Sequence, residues 1–348
     1  MLRKAFITGI GGQDGRHLAP YLHQNGYDVG GLVRGQDFEK RELLERELSY
    51  AKLYEGDITD FGSLIKALAD WKPGEVYHLA AVSYVPLSWK APSHVLEVNI
   101  LGTVNILEAV KEVAPKAKIV VASSSEIYGN VAAPQSEMSP MRPASVYGLS
   151  KLTDLHLTRQ HRDHYGMFAC TAISSNHESP LRPPIFVTRK VTRSLARIEC
   201  GLQDTIEMGN LESRRDWGYS LDYMVGMHKI LQHREPDDFV LGTGVSHSVK
   251  DLLDEAVKHT KIADISQVLQ SRRSLLRPED IGESRADPSK AHRILGWSSE
   301  TSFKSLIEMM MDYDLNLCAG NTDDMVIKAS GVEIVYPGRE IYGVQTVS

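Results

Sequence analysis

Cysteine is scarce in this chain, and so are long apolar runs and any excess of positive charge. Its 348 residues include three cysteines, Cys170, Cys200 and Cys318. An odd number at such wide spacing offers neither a disulfide framework nor the paired cysteines of a zinc site. Reduced, mostly packed thiols are expected. No stretch approaches the ~20 apolar residues of a membrane span. The basic start Met1–Leu2–Arg3–Lys4 leads into an apolar run that Gly9 interrupts, too early for a secretory signal. Lys and Arg number 39 against 45 Asp and Glu, a net charge of −6, which argues against a nucleic-acid partner. The expectation is a protein of the reducing cytoplasm, with no membrane and no nucleic-acid partner.

What is present is the composition of an ordinary globular protein, 42% hydrophobic and 24% charged. The length suffices for one large or two smaller domains. There is no internal repeat and no low-complexity linker.

The start of the chain is strongly organised. Ala5–Thr8 reads as a short buried strand, and Gly9, Gly12 and Gly15 follow as G-x-x-G-x-x-G. A helix runs through Leu18 and Leu22 to the stop at Asn25–Gly26, and Tyr27–Val33 reads as a second strand. In this arrangement backbone N–H groups and a helix N-terminus hold a pyrophosphate, so a bound dinucleotide is expected. An acid after the second strand would bond a ribose 2′-hydroxyl, whereas an arginine suits a 2′-phosphate. Arg34 stands there, with no acid before Asp37, which favours NADP over NAD. In GDITD, at 56–60, Asp57 and Ile58 sit where an adenine could be edged by a carboxylate and covered by an apolar side chain.

Strand and helix patterns then alternate: a helix at Ser63–Ala69, strands at 74–81 and 118–124, helices at 94–113 and 146–165, and a strand at 168–175. Alternation after a glycine turn predicts an α/β fold, a doubly wound parallel sheet of Rossmann type. The second half is less regular and predicts a smaller C-terminal substrate-binding lobe packed over the ligand edge. The expected division is a nucleotide domain over 1–175, a lobe over 176–318 with exchanged segments, and an extension over 319–348. The extension alternates apolar positions around ASG and YPG turns, as an added hairpin or as a tail pairing with another subunit.

The most informative pair of segments is VASSSEIYG and SVYGLSK. On a helix, Tyr147 and Lys151 lie one turn apart on the same face. An ammonium beside a phenol favours the phenolate, so the tyrosine can act as a base. Ser124, Ser125 and Glu126 fall at the carboxyl end of a strand, where ligands of such sheets bind. Glu126 adds a second acid/base group, so one base can serve a hydroxyl proton and the other a carbon-bound proton. Other signals are weaker. His161 and His164, at i and i+3 in RQHRDH, read as a solvated face rather than a metal pair, and no metal is expected. The MMM run at 309–311 reads as core.

With these motifs in view, the chain resembles the GDP-mannose 4,6-dehydratase family of the extended short-chain dehydrogenase/reductase superfamily, over roughly residues 4–318. The Tyr–Lys pair is common to the superfamily. NHESP at 176–180, FVTRK at 186–190, GNLESRRDWGYSLDY at 209–223 and DPSKAHRILGW at 287–297 are more selective. The resemblance implies that Tyr147 is the base for the sugar hydroxyl, that Lys151 lowers its pKa and holds the nicotinamide ribose, and that Glu126 is the acid/base for loss of water. Ser124 would contact the sugar 4-oxygen where the family has threonine, and Ser125 would support elimination. Gly9, Gly12, Gln13, Asp14, Gly15, Arg34, Asp57, Ile58, Leu79, Ala80 and Ala81 would hold the cofactor. Ser83, Asn176, Val187, Lys190, Gly209, Arg215, Arg277 and Asp280 would hold the GDP-sugar, the cations serving its diphosphate. A homodimer or homotetramer is implied, with helices 94–113 and 146–165 pairing with their copies.

The chain also departs from the family. Gly35 follows Arg34 where a second arginine is usual, Asp280 replaces a glutamate, and Pro183–Pro184 replace glycine and a polar residue. These changes keep a GDP-manno-heptose open as substrate. A sugar 4-epimerase would share the fold and the Tyr–Lys pair but loses no water and needs no Glu126. A nucleotide-sugar decarboxylase can carry a similar Ser–Glu pair, against which NHESP and RDWG argue. Intact Ser124, Glu126, Tyr147 and Lys151 weigh against a non-catalytic binding protein.

Overall fold

Residues 3–35, 38–272 and 281–339 are described by a computed structural model. Six strands alternate with helices: β1 Arg3–Thr8, β2 Tyr27–Val33, β3 Lys52–Glu55, β4 Glu75–His78, β5 Lys118–Ser124 and β6 Ala169–Ser174. The short strands β7 Asn176–Glu178, β8 Ile206–Met208, β9 Arg214–Arg215 and β10 Trp217–Tyr219 follow, and β11 Asp238–Leu241 returns to the main sheet. That sheet has the order β11–β6–β5–β4–β1–β2–β3, every pairing parallel. Ala5, Phe6, Ile7 and Thr8 are all fully buried, the mark of a strand covered on both faces. On one face Phe6, Leu64, Leu68, Ile106 and Val110 form a cluster; on the other, Ile7, Leu18, Leu22, Tyr77 and Val120 do. Each such side chain contributes roughly 1.5–3 kcal/mol.

The chain leaves β1 for β2 on one side and later fills β4 on the other. The crevice above β1 and β4 is therefore the topological switch point, where ligands of open α/β sheets bind. Gly9, at φ +74°, makes the turn, and a Cβ there would lie 2.8 Å from the Ala80 nitrogen beyond β4. A Cβ on Gly15 would lie 2.4 Å from the Ile10 Cα, so only glycine lets helix Gln13–Gln24 seat on the turn.

The expected long helix at 94–113 is broken. Helix Pro92–Leu96 passes through a wider π-type turn, Glu97–Leu101, into helix Gly102–Val113. The turn delivers Asn99, whose side chain accepts from the Val82 nitrogen (2.8 Å) and donates to the Ser150 hydroxyl (2.9 Å). Periodicity alone gave no sign of this bulge.

The lobe is built from β7 paired with β10, β8 paired with Leu269–Ser271, and β9 between His247–Ser248 and Glu283–Ser284. Helix Val187–Glu199 packs between helices Val249–Val257 and Phe303–Cys318. Because β11 and helix Ser220–Gln232 return to the sheet, residues after 175 serve both bodies. Strands Met325–Ala329 and Val332–Tyr336 form an antiparallel hairpin. Its residues Val332, Ile334 and Tyr336 are buried, and Gln24 of helix Gln13–Gln24 exchanges hydrogen bonds with the Glu333 backbone. Residues 325–336 of the extension thus form a hairpin docked on their own chain.

Candidate active site

β5 carries Ser123 and Ser124 to the crevice. A 3-10 turn at Ser125–Ile127 follows, begun by the Ser124 hydroxyl accepting from the Glu126 nitrogen at 3.3 Å. Helix Val146–Tyr165 is capped by Ser145, whose hydroxyl accepts from the Gly148 nitrogen at 3.0 Å. A Cβ on Gly148 would lie 2.6 Å from the Glu126 carbonyl oxygen, so the helix rests directly on the turn. Tyr147 and Lys151 thereby share one cavity wall with Ser124 and Glu126.

This cavity, about 490 Å³, lies between the sheet edge and the lobe. Its wall includes Gly9, Gly12, Gln13, Asp14, Leu79 and Ala81 from the sheet side, with Ser83. Asn176, Val187, Lys190, Gly209 and Arg215 line it from the lobe. Several expected residues stand apart from the wall. Ser125 is half-buried outside it, and Gly15 acts through packing. Ala80 contributes its backbone, donating to the Thr8 hydroxyl at 3.4 Å. Ile58, expected to cover an adenine, is instead buried in the core against Gly102 and Leu64, because an apolar side chain there gains more by packing. Asp57 accepts from the Thr59 nitrogen and hydroxyl (2.9 and 2.7 Å). Burial raises its pKa, but the Thr59 bonds, Arg34 and His94 bring it below the ordinary range. Arg34 is exposed at the end of β2. Arg277 and Asp280 lie outside the described residues.

Lys151 and a hydrogen bond with Ser124 do favour the Tyr147 phenolate, but burial outweighs them and holds the phenol above its usual pKa. Lys151 is committed elsewhere too: its ammonium donates to the Asp154 carboxylate (2.9 Å) and the Ala122 carbonyl (3.0 Å). Burial pushes the lysine down, and the Asp154 carboxylate more than offsets this. Asp154, fully buried three residues after Lys151, was readable from helical spacing but overlooked. Asn99 supports the same helix through Ser150, whose hydroxyl donates to the Tyr147 carbonyl at 2.7 Å.

On the lobe side, burial lowers the pKa of Lys190, whose ammonium donates to the Glu207 carbonyl at 2.5 Å. Arg215 donates to the Ile281 carbonyl at 2.7 Å. Arg182, overlooked in the sequence, lines the cavity, pairs with Glu178 at 3.1 Å and covers the Phe186 ring at 3.5 Å. Two selective motifs have structural work. Asp216 of RDWG accepts from the backbone of Thr243, Gly244 and Ala286. His177 of NHESP bonds the Asp14 carboxylate (3.0 Å) and the Ser175 carbonyl (2.8 Å), bracing the lobe on the glycine turn. Burial opposes both charges of that pair, yet their attraction leaves Asp14 below and His177 above the ordinary range.

Away from the site, His161 is buried rather than solvated, because its ring bridges the Leu157 carbonyl and the Glu108 carboxylate, each at 2.9 Å. Met310 and Met311 are core. Among the described residues no cluster of three or more His, Cys, Asp or Glu is placed to hold a metal, and no helix is long and apolar enough to cross a membrane.

Comparison with known proteins gives a family and a fold. The family model described as GDP-mannose 4,6 dehydratase matches residues 6–310. GDP-mannose 4,6 dehydratase 1 of Arabidopsis thaliana is 39% identical over 325 residues, covering 90% of each chain. Among solved structures, RMD from Pseudomonas aeruginosa, complexed with NADPH, superposes with a TM-score of 0.76 at 25% identity over 90% of this chain and 98% of that one. UDP-glucose 4-epimerase from Thermus thermophilus, complexed with NAD, gives 0.77 at 24% identity over 89% and 98%.

Proposed function

Because the chain belongs to the GDP-mannose 4,6-dehydratase family, its reaction is the conversion of GDP-mannose or a closely related GDP-sugar to the 4-keto-6-deoxy sugar and water, and we propose that Ser124, Glu126, Tyr147 and Lys151 carry it out beside bound NADP. The observation that carries this assignment is one cavity wall holding a carboxyl, a phenol and its lysine together with the glycine turn. The fit of a dinucleotide is supported by Gly9 and Gly12, which let backbone approach closely, and by the N-terminus of helix Gln13–Gln24. Arg34, and the NADPH held by the RMD structure, favour NADP; the NAD of the epimerase is the alternative.

The bound nicotinamide supplies reversible hydride chemistry at C4 and C6 and, when oxidised, a positive charge. Tyr147 takes the C4 hydroxyl proton, with Lys151 stabilising the phenolate against the burial that raises its pKa. Ser124, bonded to that phenol, faces the same oxygen. The C4 ketone acidifies the C5 hydrogen; Glu126 removes it and returns a proton to the departing C6 hydroxyl, and Tyr147 then gives its proton to C5 to match the hydride received at C6, so both residues end the turn as they began it. Lys190, Arg215 and Arg182 offer cations to the diphosphate, with Asn176, Val187, Gly209 and Ser83 shaping the rest of the wall. Pro183 in that wall, one of the chain's departures from the family, keeps a heptose open as second reading. Heat-denatured protein should release NADP. Release of NAD alone would overturn the cofactor choice, and failure to convert either GDP-mannose or a GDP-manno-heptose would overturn the substrate class.

The working unit in this proposal is a cytoplasmic homodimer or homotetramer. Trp89, Leu101 and Leu149, each more than 40% exposed on neighbouring helical segments, supply apolar area for pairing.

A further inference from the structure

We infer that the C-terminal hairpin, which lies beyond the family match at 310, is a positioning element of the cofactor site: Tyr336 fixes the glycine-turn helix through His17. This rests on the nicotinamide assignment above. Four hydrogen-bonding groups form a line from hairpin to turn. Tyr219 and Tyr336 share a hydrogen bond of 2.6 Å, the Tyr336 hydroxyl meets His17 Nε2 at 2.8 Å, and His17 Nδ1 meets the Gln13 carbonyl at 2.7 Å.

The chemistry fixes the direction of every proton. A carbonyl only accepts, so His17 Nδ1 must carry hydrogen. His17 and Tyr336 are fully buried, and burial lowers the His17 pKa to about 4 against the pull of the nearby Asp14 carboxylate, so the ring carries a single proton. Its Nε2 is then an acceptor, Tyr336 donates to it, and Tyr219 donates to Tyr336. Each of the three side chains has one fixed role. Removing the Tyr336 hydroxyl leaves a buried acceptor on His17 and a buried donor on Tyr219 unmatched, the costly kind of loss.

What the line holds is the cavity itself. Gln13, whose carbonyl ends it, donates its amide to the His177 carbonyl (3.0 Å) and accepts from the Ser179 hydroxyl (3.0 Å). Ser220, adjoining Tyr219, donates to Asp14 at 2.8 Å. Gln13, Asp14 and His177 all line the cavity. The hairpin thus ties helix Gln13–Gln24 to strand β10 near the cofactor end.

The test compares Tyr336→Phe with Tyr313→Phe in the full chain. The Tyr313 hydroxyl donates to the Pro337 carbonyl at 2.8 Å, so it anchors the same segment without touching His17. Dissociation constants for NADPH, KM for GDP-mannose at saturating cofactor, and Tm are measured for both and for the parent. Tyr336→Phe is expected to weaken NADPH binding about three- to tenfold, the scale of one buried hydrogen bond, with KM for GDP-mannose unchanged. Tyr313→Phe is expected to lower Tm with NADPH binding unchanged. Equal NADPH affinity in Tyr336→Phe and parent, or equal weakening in both variants, overturns the inference. A parent protein that binds no nicotinamide dinucleotide overturns the cofactor assignment beneath it instead.

Discussion

Lys151 serves two masters. In the proposed mechanism its ammonium stabilises a phenolate at Tyr147, yet its nearest carboxylate is Asp154, fully buried and hydrogen-bonded to it. Replacing Asp154 by Asn strands a buried charge, and about 3 kcal/mol of stability should be lost in urea denaturation. Replacing Tyr147 by Phe removes the base while keeping the ring. The first oxidation should slow by ~10²–10⁴-fold, seen as lost cofactor reduction in a single turnover; normal reduction would deny Tyr147 its role. His78 offers a pH test. Its ring lies between the hydroxyls of Thr8 (2.8 Å) and Thr103 (3.1 Å), and burial, aided by Lys151, lowers its pKa to about 3. Between that value and the ordinary 6.5 the unfolded chain binds the extra proton, so stability is full above 6.5 and is lost as pH falls through this window. The Tm of the parent should fall more steeply than that of His78→Gln between pH 6.5 and 4.5; identical slopes would contradict the assignment. Ser124, Glu126, Tyr147 and Lys151 were legible in the sequence because their spacing is local. The Asn99–Ser150 bond and the Asp14–His177 tie were not, since contacts across many tens of residues leave no local pattern; Arg182, whose partners Glu178 and Phe186 are four residues away, was simply overlooked.

At the scale of elements, the contact between helix Val146–Tyr165 and the Ser125–Ile127 turn sets the distance between Tyr147 and Glu126. Gly148 is the point of closest approach, and the neighbour is backbone that cannot step aside. Gly148→Ala should cost about 1–3 kcal/mol through overpacking and lower kcat more than it raises KM. Ser145→Ala removes the helix cap and should cost about 1 kcal/mol with a smaller effect on kcat. The reverse ranking in kcat would show that the cap, rather than the contact, places Tyr147. The helix itself was read at 146–165 and is seen at Val146–Tyr165, with the Ser145 cap and Gly166 at φ +66° supplied by the structure. The break in the 94–113 helix was not, because one wider turn shifts the apolar register by a single residue, too little to stand out in a pattern of this length.

For the whole molecule, strand order follows from the alternation of elements and the glycine turn, and those were visible in the sequence. The return of β11 to the sheet was only outlined, since a four-residue buried strand carries little signal. Assembly belongs to this scale. If copies pair through helices at 97–113 and 146–165, Leu101→Glu with Leu149→Glu should yield monomers in light scattering, and an unchanged mass would place the interface elsewhere.

Chemistry at Glu126 is the centre of the account, and mass spectrometry of the sugar nucleotide tests it most directly. Parent protein incubated with GDP-mannose should give a product lighter by one water, while Glu126→Gln, with NADPH binding intact, should give almost none. A Glu126→Gln protein that dehydrates the substrate at nearly the parent rate would contradict the account.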